Sequence, residues 1–87
     1  MNTEIRIRNL INLLIEKLKE EDSQEILEYL DHNEWGIAFE NLVSIILSER
    51  IQINEHIFNE LIDLGNDMEI ELNDEVVNQF KKMIIKE

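Results

Sequence analysis

Aliphatic residues recur at intervals of three and four along nearly the whole chain, and no proline and only two glycines interrupt them. That spacing is the period of an α-helix with one apolar face. A chain patterned this way must bury its stripes by packing helix on helix. Its 87 residues allow one modest core. An apolar fraction of 44% is too high for a disordered segment. The expected fold is an all-α bundle of about five helices, a single domain over residues 1–87.

With proline absent and glycine rare, helix limits rest on caps and periodicity. The first helix is expected from about Thr3 to Lys19, with Ile7, Leu10, Ile11, Leu14 and Leu18 on one face and Leu13 and Ile15 widening it. Asp22 and Glu25 have capping-box spacing, so a second helix should begin near Ser23 and bury Ile26, Leu27 and Leu30. Asn33 is expected to cap a third helix running to about Glu49. Its stripe is Trp35, Ala38, Phe39, Leu42, Val43 and Ile46, broadened by Ile45 and Leu47, which makes it the most buried of the five. Asn54 should cap a fourth helix over Ile57, Phe58, Leu61, Ile62 and Leu64. Continuing it to about Met68 puts Gly65 within the apolar face, where a neighbouring helix could approach closely. Asn73 or Asp74 caps the fifth, which buries Val76, Val77, Phe80, Met83 and Ile84. Lys81, Lys82 and Lys86 near its end suit the helix dipole.

Several chemistries are excluded or disfavoured. There is no cysteine, hence no disulfide and no thiolate nucleophile or ligand. A formal charge of −12 disfavours direct binding of nucleic acid, which requires a basic surface. No apolar run is long enough to cross a membrane. The first residues make a poor signal peptide, because Glu4, Arg8 and Asn9 interrupt it, so a cytoplasmic location is expected. Neither His32 nor His56 belongs to a recognised catalytic or metal pattern. Counted from Asp63, Gly65 occupies the third position of a calcium loop that needs glycine at the sixth. No enzyme activity, metal or cofactor is expected.

What the sequence does offer is charge in an uneven arrangement. From Glu20 to Glu75, Arg50 is the only base among 17 acids. Glu60, Asp63 and Asp67 recur at i, i+3 and i+7 on the fourth helix, and Glu25, Glu28 and Asp31 share a face of the second. Like charges at these spacings cost a few tenths of a kcal/mol per pair. No lysine or arginine in either segment neutralises them. Two such faces point to an electrostatic surface for a basic protein, with the longer fourth-helix stripe favoured. Ile37 stands beside Glu40 on the polar strip of the third helix, where it could anchor an interface.

The stretch LEYLDHNEWGIAFENL, residues 27–42, resembles the signature of the MafI-type immunity proteins of polymorphic toxin and contact-dependent growth inhibition systems. The likeness continues through INEHIFNELIDLGNDMEIE, residues 53–71, with its LG dipeptide and acidic end. About half the chain is covered. The turn followed by E-W/Y-G-x-A is the distinctive part, and the rest is generic amphipathic helix. The resemblance implies a small helical cytosolic protein that binds and blocks a secreted or contact-delivered toxin, often an RNase of the EndoU type. Carried over by position, its motif marks Asp31, Glu34, Trp35, Gly36, Ala38 and Glu40. Trp35, Gly36 and Ala38 read as structural; Asp31, Glu34 and Glu40 read as partner-binding. The expected partner is therefore a basic nuclease toxin domain, held by Glu25, Glu28, Asp31, Glu34, Ile37, Glu40, Glu60, Asp63 and Asp67, with this chain a monomer in the complex. The alternative is a non-catalytic regulatory adaptor whose acidity serves solubility.

Overall fold

The structure, a computed structural model, describes residues 2–85. It is all-α, with five helices: α1 (Thr3–Leu14), α2 (Glu20–Asp31), α3 (Trp35–Ser48), α4 (Glu55–Asp67) and α5 (Asp74–Lys82). The chain forms two compact units, one ending at Ile45 and the other beginning at Ile46, so the division falls within α3.

Asparagine starts three of the helices. Asn2, Asn54 and Asn73 each sit in extended backbone, and each Oδ1 accepts from the backbone N–H three residues on, at 2.8, 2.8 and 2.9 Å. This satisfies a donor that the helix itself leaves unpaired. Sequence spacing anticipates Asn54, and of the two candidates for the fifth helix, Asn73 and Asp74, it is Asn73 that caps. The same spacing misplaces the caps of the second and third helices. α2 begins earlier, at Glu20, and its cap residue Lys19 makes no side-chain capping bond. Glu20, Glu21 and Asp22 occupy the first turn, where carboxylates favour the positive end of the dipole. The buried Ser23 hydroxyl donates to the Glu20 carbonyl at 2.9 Å.

Asn33 ends α2 rather than capping α3. It has φ 59°, and the same left-handed backbone occurs at Arg50 and Glu69. At all three, a pair of hydrogen bonds closes the preceding helix. Asn33 N–H donates to Leu30 O and Glu34 N–H to Tyr29 O; Arg50 N–H donates to Leu47 O and Ile51 N–H to Ile46 O; Glu69 N–H donates to Asn66 O and Ile70 N–H to Gly65 O. These are Schellman closures, in which glycine normally supplies the left-handed residue. In this chain Asn, Arg and Glu take that position, against the steric preference of their Cβ atoms.

In the N-terminal unit, α1 packs against α2. Ile7, Leu10, Ile11 and Leu14 of α1, Ile26 and Leu30 of α2, and Ala38, Phe39, Leu42 and Val43 of α3 are buried. Arg8 ties α1 to α2 at the surface, donating to Asp31 at 2.8 Å while its Nε donates to Glu4 at 3.1 Å. Asp31 first, then Glu4, raises the guanidinium pKa further. α1 stops at Leu14, five residues short of the expected Lys19. The amides of Lys17 and Leu18 turn back onto the Leu14 carbonyl, which returns Leu18 to the interior. Leu13 and Ile15, expected to widen the buried face, are about half exposed, at 55% and 48%.

In the C-terminal unit, Ile51, Ile53, Ile57, Leu61, Leu64 and Phe80 are buried. Gly65 lies inside α4, as the periodicity anticipates, but what approaches it is not a helix. A Cβ there would meet the Ile70 carbonyl oxygen at 3.2 Å and the Leu72 side chain at 3.4 Å. The missing side chain lets the chain double back over the end of its own helix. α5 buries Phe80 alone; Val76, Val77, Met83 and Ile84 are only half-buried. A backbone contact compensates. Ile53 N–H donates to Met83 O at 3.1 Å and Ile85 N–H to Ile53 O at 2.8 Å, an isolated parallel bridge that ties the segment before α4 to the one after α5.

Candidate functional site

The N-terminal unit gathers five of the nine expected binding residues onto one face. Glu25, Glu28, Tyr29, His32 and Glu34 line a shallow depression of about 310 Å³. Glu25 and Tyr29 also border a second depression of about 230 Å³ with Ile37, Glu40, Asn41 and Ser44. The half-buried Tyr29 is shared by both and forms the centre around which the acids are set. Asn41 donates its Nδ2 hydrogen to Glu25 at 3.0 Å, linking α2 to α3 at the join between the depressions. Among the described residues, no lysine or arginine lines either one.

Helix periodicity explains the assembly. Glu25, Glu28 and Tyr29 lie at i, i+3 and i+4 on α2, and Ile37, Glu40 and Asn41 repeat that spacing on α3, so each helix shows one edge to the shared face. The Schellman turn at Asn33 reverses the chain between them and leaves His32 and Glu34 at the rim. Ile37 is 48% exposed.

Trp35 departs from the expectation that periodicity sets. Placed in the core by its position on the α3 stripe, it is 37% exposed. It is the first residue of α3, and side chains on a helix lean toward its N-terminus. A residue in the first turn therefore projects past the helix end, where the apolar stripe has no further turn to rest on. Ala38 and Phe39, one turn later, are fully buried. Trp35 thus joins Ile37 as a large apolar side chain open to solvent on α3.

His32 sits where α2 ends. Its Nδ1 lies 2.8 Å from the Glu28 carbonyl oxygen. That contact, followed by the charges of Glu28, Glu34 and Asp31, raises its pKa above the ordinary 6.5.

The other four expected residues line neither depression. Asp31 instead pairs with Arg8. Glu60, Asp63 and Asp67 lie on α4 in the other unit, with Glu60 half-buried and both aspartates exposed. Among the described residues, no group of three His, Asp or Glu side chains is placed to hold a metal ion. No helix described is long and apolar enough to cross a membrane. No known family model matches the chain, and comparison with curated proteins and with solved structures finds no match.

Proposed function

We propose that this chain is an immunity protein, a stoichiometric inhibitor that neutralises a basic nuclease toxin, of which an EndoU-like RNase is the best-fitting class. The observation that carries the proposal is the α2–α3 face, where the exposed Ile37 stands beside Glu40 on α3, with Glu34 just before that helix and Glu25, Glu28 and Tyr29 of α2 lining the same depressions. Tight interfaces concentrate their energy in a few aromatic or apolar anchors surrounded by polar residues. An RNase carries lysine and arginine to hold phosphate, and an acidic face complements that groove and accelerates encounter. The resemblance of residues 27–71 to MafI-type immunity proteins supports the same class. The α2–α3 face takes precedence over the α4 acidic stripe because it joins an exposed apolar anchor, Ile37, to its charge. In this reading the chain performs no chemistry, acts in the cytoplasm and binds as a monomer.

Titration of an EndoU-type RNase domain with the protein, by calorimetry and by inhibition of RNA cleavage, tests the proposal. Ile37→Ala should weaken binding by about 2 kcal/mol, roughly 30-fold, as expected for an interface anchor. The same change should lower folding stability by only about 1 kcal/mol, because Ile37 is about half exposed already. Reversing Glu25, Glu28 and Glu40 to lysine should slow association and flatten its salt dependence. The matching reversal of Glu60, Asp63 and Asp67 should leave both nearly unchanged. If the wild-type protein neither binds nor inhibits basic RNase domains, the immunity assignment falls. If it binds and only the α4 reversal weakens the complex, the assignment stands and the face is wrong.

A further inference from the structure

The C-terminal unit contains a cleft of opposite character. It has a volume of about 520 Å³ and is lined by Arg50 and Gln52 from the segment after α3, and by Gln79, Lys82 and residues 83–85 from α5 and its continuation. The parallel bridge between Ile53 and Ile84 holds these two segments in register. Arg50 is the single base in the acidic stretch from Glu20 to Glu75. It meets Lys82 here, with Ile84 half-buried and Ile85 exposed beside them.

We propose that this cleft binds a monocarboxylate with an aliphatic body. The inference stands independently of the immunity reading, since it uses no residue of the α2–α3 face. Its volume lies in the range of small-molecule sites. A guanidinium matches the two oxygens of a carboxylate with a planar fork, and the Lys82 ammonium adds a second donor. Gln79 supplies a carboxamide, and Ile84 and Ile85 offer aliphatic surface to the rest of the molecule. Two features select a single negative charge. α5 ends at Lys82, so the negative end of its dipole lies at the cleft. The whole chain carries −12, and that field opposes a dianion more than a monoanion. Phosphate is thus a poorer fit than carboxylate.

A carboxylate of this kind could be a free aliphatic acid or the carboxyl-terminal residue of a peptide. The probes are hexanoate, N-acetyl-Leu-Ile as the free acid, the same dipeptide as its carboxyl amide, and inorganic phosphate. Each is titrated into the full-length protein while the backbone amide resonances are followed by NMR. One or both acids should move the amides of Arg50, Gln79, Ile84 and Ile85 saturably, with a Kd of about 0.1–1 mM for so few contacts. Hexanoate binding identifies a free acid as sufficient; binding of the dipeptide acid alone identifies a chain terminus. Arg50→Gly removes the cation and also relieves a left-handed backbone, so its loss of binding cannot be ascribed to unfolding. It should weaken the acid about fivefold or more, and Lys82→Gln should do the same. The proposal is overturned if neither acid gives saturable shifts in the cleft below about 10 mM. It is equally overturned if the amide or phosphate binds as tightly as the acids, or if both variants bind like wild type.

Discussion

The two units of this chain hold themselves together by different means. The N-terminal unit buries two or more apolar residues on each of its helices and crosses its surface with the Arg8–Asp31 and Asn41–Glu25 contacts. The C-terminal unit has an equally well-buried α4, but α5 is anchored by Phe80, and the backbone bridge at Ile53 supplies what its half-buried valines do not. A short helix held by one ring and two backbone hydrogen bonds should open more readily than one held along its whole face. The surfaces divide in the same way. The better-packed unit presents the acidic face around Tyr29 and Ile37, and the other presents the cationic cleft. A rigid face suits protein recognition, since less order has to be created on binding. A cleft walled by a less firmly held helix suits a small ligand that stabilises it on binding.

The strongest test of this contrast is removal of the two buried rings. Phe39→Ala and Phe80→Ala should each cost about 3–5 kcal/mol in urea unfolding. In hydrogen exchange, Phe80→Ala should release the α5 amides while those of α1 and α2 stay protected. Uniform loss of protection throughout the chain would show that α5 is no weaker than the rest. A smaller effect is expected at the turn over α4. Gly65→Val places branched carbons against the Ile70 carbonyl and Leu72, and overpacking of this kind should cost about 1–3 kcal/mol. A variant as stable as wild type would mean that the chain after α4 can move aside freely.

Glu69→Gly should act in the opposite direction. It relieves a left-handed residue in a Schellman closure and should raise stability by up to about 1 kcal/mol. Asn33→Gly should gain less, because asparagine tolerates that backbone better. Equal thermal midpoints for wild type and Glu69→Gly would argue that the turn carries no strain.

The smallest effect concerns pH at the acidic face. The folded protein binds the His32 proton more tightly than the unfolded chain, whose value is near the ordinary 6.5. The resulting stabilisation is fully present below that value and is lost as pH rises through the higher folded value. The thermal midpoint of wild type relative to His32→Gln should therefore decline as pH rises past about 6.5. A constant difference across the series would show that His32 titrates alike in both states. If the face binds a basic partner, the added imidazolium charge should also weaken that complex at the acid end of the same series.

The candidate face is partly legible in the amino-acid sequence. Glu25, Glu28, Ile37 and Glu40 follow from helical spacing, but their convergence around Tyr29 depends on how α2 and α3 pair, and no local pattern encodes that. Periodicity misassigns Trp35 because it places a residue on a face without saying whether the helix has another turn beneath it. His32 lies among Glu28, Asp31 and Glu34 in sequence, and that acidic neighbourhood is itself a signal for a raised pKa. The cationic cleft has no sequence signature, because Arg50 and Lys82 are more than 30 residues apart and meet only through a two-residue bridge.

By itself the sequence determined that this protein is helical, how many helices it forms, which stripe of α3 and α4 turns inward, that Asn54 begins α4, and, to within one residue, where α5 begins. These are short-range properties: a period of 3.6 residues and a side chain that reaches the amide three positions on. Only the tertiary structure decided that α1 stops at Leu14, that Asn33, Arg50 and Glu69 take the glycine conformation, that the chain folds over Gly65, and that Ile53 pairs with Ile84. Each depends on whether another part of the chain offers a surface to cover or a backbone group to satisfy. That is settled by packing in three dimensions, where a buried side chain or a paired amide offsets a local preference of about 1 kcal/mol.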